Sequence, residues 1–353
     1  MSRSIRRPAL ALALLLTLGT AACAEESTTD PGAGNATAET AAEPGGDTAD
    51  DTGDATAGSD DVGTTSAAPA GAEESAAAAA GFLAGQLEEG SHFPEDEGSL
   101  TVDGLIALAA AGGHDSEVAA MADWLAEQAP AYTEGNGPAA GSLAVAVAAA
   151  GQDPTDFGGL DLTEIVVESI DDTGQCGEFA GAYTQSLCVL GLVRAEAEVP
   201  QAAVDNLVAL QDAETGSFGF DNEGEYTPDL DSTALAVSAL SGVLDQDGAV
   251  DAVVTARGYL LSEQAEDGSW QGFSAVNTTG LAASALAALG EDVQPAVDWL
   301  TGVQLPDGGF AAEQGGELAD VRATTQGILP LTGESLLSVG VGGLDRVEVP
   351  AGR

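Results

Sequence analysis

The chain has 353 residues and a formal net charge of −50 at pH 7, with 58 acidic residues against 8 basic ones, all of them Arg. That field repels nucleic acid and anionic lipid surfaces, so neither is expected as a partner. Hydrophobic residues make up 44% of the sequence but aromatic residues only 4%, which points to an aliphatic core.

The N-terminus opens on Arg3, Arg6 and Arg7, followed by an apolar run from Ala9 to Leu18 and then Thr20-Ala21-Ala22 ahead of Cys23. A basic leader, a short apolar core and a small-residue cleavage site predict a signal peptide over residues 1–22. The apolar run is too short to span a bilayer as a mature helix. Cys23 after the small residues resembles a bacterial lipobox, with Thr20 where that motif usually has Leu or another aliphatic residue. The resemblance implies that Cys23 is acylated and tethers the chain to the extracytoplasmic face of the cell membrane. Residues 23–75 are rich in Thr, Asp, Ala, Gly and Glu, with no aromatic residue and no periodicity. They bury too little apolar surface to offset ordering entropy and predict a disordered acidic stalk. A flexible stalk of about 50 residues spans roughly 40 Å.

Residues 76–353 are repetitive. An Ala-rich apolar segment recurs at Val102–Leu108, Ser142–Val147, Gln185–Leu190, Asp231–Ala236, Asn277–Ala282 and Arg322–Gln326, about every 40–46 residues. Amphipathic segments precede the later ones, at Ala119–Gln128, Leu162–Ile170, Ala202–Gln211, Val250–Gln264 and Pro295–Gln304. A helix apolar all round must be buried on every side, and one with a single apolar stripe lies outside it. About six such pairs, counting one that starts near Ala77, predict an all-α ring. No segment reads as a convincing strand.

The junctions carry a resemblance. Arg257-Gly258-Tyr259-Leu260, then Gln264, then Gly268-Ser269-Trp270 resembles the QW motif of squalene cyclases. Weaker copies end in Gln304 with Gly308-Gly309-Phe310 and Gln211 with Gly216-Ser217-Phe218, and a looser one joins Gln86 to Gly90 and Phe93. The domain is similar to the prenyltransferase/squalene-cyclase repeat superfamily, which implies an α/α toroid. In that reading the Gln satisfies orphan backbone groups at a helix terminus and the aromatic covers the tie. The superfamily includes terpene cyclases, prenyltransferase subunits, thioester domains and cobalamin carriers, so the fold does not transfer an activity.

Several activities are tested by single residues. Asp229-Leu230-Asp231-Ser232-Thr233-Ala234 resembles the acid motif of class II cyclases, placing Asp231 at the proton donor but Ser232 where the motif ends in Asp. The same residue also reads as a helix cap. Prenyl transfer would need a zinc site, and His92 and His114 have no Cys partner at ligand spacing, so no metal or cofactor is expected. Cys176-Gly177-Glu178-Phe179 resembles a thioester motif in which Phe179 replaces the acyl partner. Cys176 and Cys188 are left as either a disulfide or two free thiols. Leu329-Pro330-Leu331-Thr332-Gly333 matches a sortase pattern without the apolar helix and basic tail that must follow, and Pro330 reads as the breaker that ends the sixth inner helix.

The expectation is a lipid-anchored surface protein whose ring has a polar mouth formed by Asp103, Gln185, Asp231, Asn277 and Arg322. Tyr183, Tyr226 and Asp229 lie close by in sequence. That mouth would bind a small molecule or a surface protein. The alternatives are a terpene-cyclase-like enzyme with Asp231 as general acid, and a structural envelope protein with a filled ring.

Overall fold

In a computed structural model of the chain, the described residues are 68–94, 98–179, 181–222, 224–340 and 349. The expected signal peptide, Cys23 and most of the expected stalk lie outside them. The outer helices are α1 (Glu73–Gln86), α3 (Asp115–Tyr132), α5 (Leu162–Glu168), α7 (Gln201–Ala209), α9 (Ala249–Ser262) and α11 (Gln294–Val303). Each leads to an inner helix: α2 (Ser99–Ala111), α4 (Gly137–Ala149), α6 (Ala182–Arg194), α8 (Leu230–Ser241), α10 (Ala275–Ala288) and α12 (Val321–Gly327). Every inner helix packs on the next, and α12 packs back on α2, so the six pairs close into an α/α toroid.

Small residues set the inner ring. In α10, Val276 and Thr278 through Leu286 are all buried, which only a helix without a solvent face tolerates. A Cβ added to Gly141 on α4 would lie 2.3 Å from the carbonyl oxygen of Leu187 on α6, so the two helices meet at backbone distance. The outer helices are one-sided: α11 buries Ala296, Val297, Trp299 and Leu300 and turns its other face outward. Side-chain oxygens cap several starts, with Asp229 Oδ2 accepting from Ser232 N at 2.9 Å and Asp320 Oδ1 from Ala323 N at 2.8 Å.

The junction ties are partly as the sequence suggests. Gln264 Nε2 donates to the Gly268 carbonyl at 3.0 Å. Gln211 donates to Gly216 and also to Ala252 in the first turn of α9, both at 2.9 Å. Gln304 does the same to Gly308 at 2.7 Å and to Ser75 in α1 at 2.8 Å. The acceptors are therefore a loop carbonyl and the next outer helix, not the terminus of the helix that carries the Gln. Gly308 has φ +92°, and a Cβ there would sit 2.3 Å from the Ala78 carbonyl oxygen, so only glycine fits. The aromatic that follows gives its backbone N–H to an inner-helix threonine: Phe93 to Thr101, Phe218 to Thr233, Trp270 to Thr279, Phe310 to Thr324. In the loosest copy Gln86 is exposed and makes no such tie among the described residues.

Two expectations are corrected. The acidic stretch before α8 contains an antiparallel hairpin, β1 (Gly219–Asn222) and β2 (Glu225–Pro228). It turns at Gly224 with φ +88°. Four-residue strands embedded in acids carry too little alternation to read from sequence. Pro330 does not end the sixth inner helix but sits in the first turn of a further short helix, α13 (Leu329–Thr332), where its missing N–H costs nothing.

Gln185, expected at the mouth, is instead the tie of the third pair. It is 1% exposed. Its Nε2 donates to Gly174 and Ala203 at 2.9 Å, and its Oε1 accepts from Cys176 N at 2.8 Å. An inner-helix residue thus does here what an outer-helix Gln does elsewhere, because α5 ends without a Gln. Replacing Gln185 by Leu orphans the buried Cys176 N–H and takes a donor from the Gly174 and Ala203 carbonyls. Urea unfolding should show a loss of at least about 2 kcal/mol, against a small change for the exposed Gln86→Leu.

Candidate functional site

The inner helices all begin at one end of the ring, and that end is the mouth. Its far end and interior are filled. The C-terminal segment folds back there, with Arg194 donating to the carbonyls of Leu337, at 2.6 Å, and Val339. Among the described residues an interior cavity of about 50 Å³ lies below the mouth, lined by Ile106, Val145, Leu190, Leu235, Leu281 and Leu336 and shared with the mouth at Asp103, Ser142 and Tyr183. Drug-sized ligands occupy roughly 300–1,000 Å³, so this cavity is too small for one.

The mouth holds a cavity of about 1010 Å³. It lies over the starts of α2, α4, α6 and α12 and under the C-terminal turns of α3. Asp103, Tyr183 and Arg322 line it, as do Trp124, Tyr132, Glu134, Glu178 and Phe179. Arg322 pairs with Asp103 at 2.9 Å and reaches Ser99 Oγ at 3.4 Å, so the two charges form one bridge across the α12–α2 seam. The Tyr183 hydroxyl is pushed well above the usual phenol range, first by burial and then by the carboxylates of Asp103 and Asp231. It stays a neutral donor at physiological pH.

The other expected residues separate. Asp231 and Asn277 continue the ring on α8 and α10 without lining this cavity, and Asn277 Oδ1 accepts from Ser274 Oγ at 2.7 Å. Burial raises the Asp231 carboxyl above the usual range, and the charge of Asp229 adds to this. The Thr278 hydroxyl beside it offsets the rise only in part. Neither Asp231 Oδ1 nor Thr278 Oγ1 closes a hydrogen bond among the described residues, which leaves that side chain poorly compensated. Asp229 is a helix cap. Tyr226 donates to the Ser217 carbonyl at 2.9 Å and so pins the hairpin instead of facing a ligand. Gln185 is a buried tie.

Cys176 and Cys188 are joined by a disulfide with Cα atoms 6.5 Å apart. With Gln185 it anchors the loop that carries Glu178 and Phe179 to the mouth. Trp124, Tyr132, Glu134, Glu178 and Phe179 were not expected there. Trp124, Gln128 and Ala131 lie at helical spacing on one face of α3, a legible stripe, but nothing local says that this face ends at the mouth. One face of Trp124 is stacked on His92, ring centroids 4.7 Å apart and 1° from parallel, which fixes its orientation.

Neither a protein-family model nor a curated protein matches the sequence. Solved structures do resemble the fold. Haptocorrin in complex with Cbi aligns at TM-score 0.52 and 14% identity over 78% of this chain and 70% of that one. The GH76A alpha-1,6-mannanase from Salegentibacter sp. HEL1_6 aligns at TM-score 0.55 and 12% identity over 74% and 98%. A variant of the type II terpene cyclase MstE from Scytonema, in complex with merosterolic acid A, aligns at 0.54 and 14% over 74% and 96%. Three different activities on one scaffold, at such identities, establish the α/α toroid and leave function to the site.

Because the folded state raises the Asp231 pKa, folding binds a proton between the unfolded and folded values, and stability falls as pH rises through that window. Asp231→Asn should therefore melt higher than the parent chain at pH 7. The gap should close as pH drops below the ordinary aspartate range, about 3.9. Thermal melts of both proteins across pH 3–7 measure this.

Proposed function

We propose that this protein is an extracytoplasmic lipoprotein that binds a small molecule at the mouth of its toroid. One observation carries the binding: a cavity of about 1010 Å³ at the helix starts, with aromatic, carboxylate and amide side chains converging on it. A cavity of that size with a few placed polar groups is the usual form of a ligand site. The lipoprotein part rests on the leader and Cys23 in the sequence.

A protein partner is a second reading, favoured by a separate observation. Phe179, Phe220, Phe273 and Leu318 are 79%, 50%, 103% and 85% exposed. Each lies in the connection entering an inner helix, so all four crown the same end. Scattered apolar residues are ordinary, and what supports this reading is that these four recur in successive connections to the inner helices.

The enzyme reading is supported by Asp231, whose raised carboxyl is suited to giving up a proton. The interior cavity of about 50 Å³, with Tyr183 as its single aromatic lining residue, weighs against polyprenoid cyclisation, which requires a chamber with aromatic walls.

Ser142 lines the mouth cavity and leads into the interior. Native mass spectrometry of the full chain from its host should show an added mass that denaturation removes. Ser142→Trp, which sets a bulky ring on the cavity floor, should lower the fraction of protein carrying that mass; an unchanged fraction would place binding away from this floor. For the anchor, Cys23→Ala should move the protein from the membrane fraction to the medium.

A further inference from the structure

We infer that the ligand of the mouth cavity is an organic cation, a small molecule carrying an ammonium group on an apolar body. The inference rests on the small-molecule reading above and names the chemical class that the cavity selects.

Aromatic residues are scarce: 3 Trp, 4 Tyr and 8 Phe in 353 residues. Four of them, Trp124, Tyr132, Phe179 and Tyr183, line this one cavity. Core packing does not account for all of them, since Phe179 is 79% exposed. Ring faces carry negative electrostatic potential and attract cations, most strongly where water is excluded. Trp124 reaches the cavity already oriented by His92, so little ordering is left for the ligand to bring about.

Charge points the same way. The lining includes Asp103, Glu134 and Glu178 against Arg322. Arg322 is bridged to Asp103, while neither Glu134 nor Glu178 has an ion pair among the described residues. The cavity therefore carries surplus negative charge inside a protein of net charge −50 that has no Lys to offset it. That field repels an anion and draws a cation inward. A neutral ligand would use the rings and leave the carboxylates idle. Acidic side chains alone line many harmless surfaces; here they flank a concave aromatic wall.

The test compares two molecules of the same shape, choline and 3,3-dimethylbutan-1-ol, by calorimetric titration of the full chain. Choline should bind at least tenfold more tightly, and more weakly as salt is raised. Glu134→Gln combined with Glu178→Gln, both exposed positions that leave the fold intact, should weaken choline about tenfold and not the alcohol. Phe179→Ala combined with Tyr183→Ala should weaken both. Equal binding, or preference for the alcohol, overturns the cation inference and leaves the small-molecule reading standing. If neither probe binds, the molecule that copurifies from the host decides: a cation upholds the inference, and a neutral or anionic molecule overturns it. Neither probe binding and nothing copurifying would sink both readings.

Discussion

The structure hangs on one repeated tie. A primary amide reaches from one helix pair to a loop carbonyl and onward to the first turn of the next outer helix. It does so at Gln211, Gln304 and, from the inner ring, at Gln185. The amide can reach both because a glycine with positive φ lets the loop press against that next helix. At these three junctions a pair is fixed to its neighbour by polar geometry, which is directional, and not by apolar contact alone, which is not. The small angle set at each junction, repeated six times, brings α12 back to α2.

Closure has a consequence for chemistry. Once Ala, Gly and Val helices meet at backbone distance, the ring is narrow. Leu side chains from several inner helices, with Leu329 and Leu336 of the C-terminal segment, then fill its centre. Arg194 secures that segment through two backbone carbonyls. It does so although burial lowers its pKa, because an arginine remains charged even so. With the centre packed by these side chains, the larger cavity lies at the mouth, where helix starts and loops supply polar groups.

The mouth is uneven. On the α8 and α10 side, caps and hairpin contacts occupy Asp229, Asn277 and Tyr226, while Asp231 Oδ1 and Thr278 Oγ1 stay unpaired among the described residues. On the α2, α4 and α6 side, the long α3 and the disulfide-anchored loop stand apart and leave a cavity between them. Acidic side chains and aromatic rings line this one cavity together.

The helical periodicity, the small-residue inner segments and the Gln–Gly–aromatic junctions made the ring of six pairs legible in the sequence, because each is a local pattern with a fixed spacing. Asp103 and Arg322 were placed at the mouth by the same counting from helix starts, and Tyr183 by lying close to one of them in sequence. Gln185 failed that counting: a glutamine at an inner-helix start looks like any other until the neighbouring α5 is seen to end without its own. Trp124 and Phe179 were invisible as site residues for a related reason, since they are distant in sequence and meet only when α3 and the loop before α6 fold over the same helices. The sequence by itself determined the elements, their order, the acid-rich surface and the two cysteines near enough to pair. Only the tertiary structure decided which polar side chains are spent on ties and which line the mouth cavity, because that depends on contacts between repeats, and no spacing within one repeat records them.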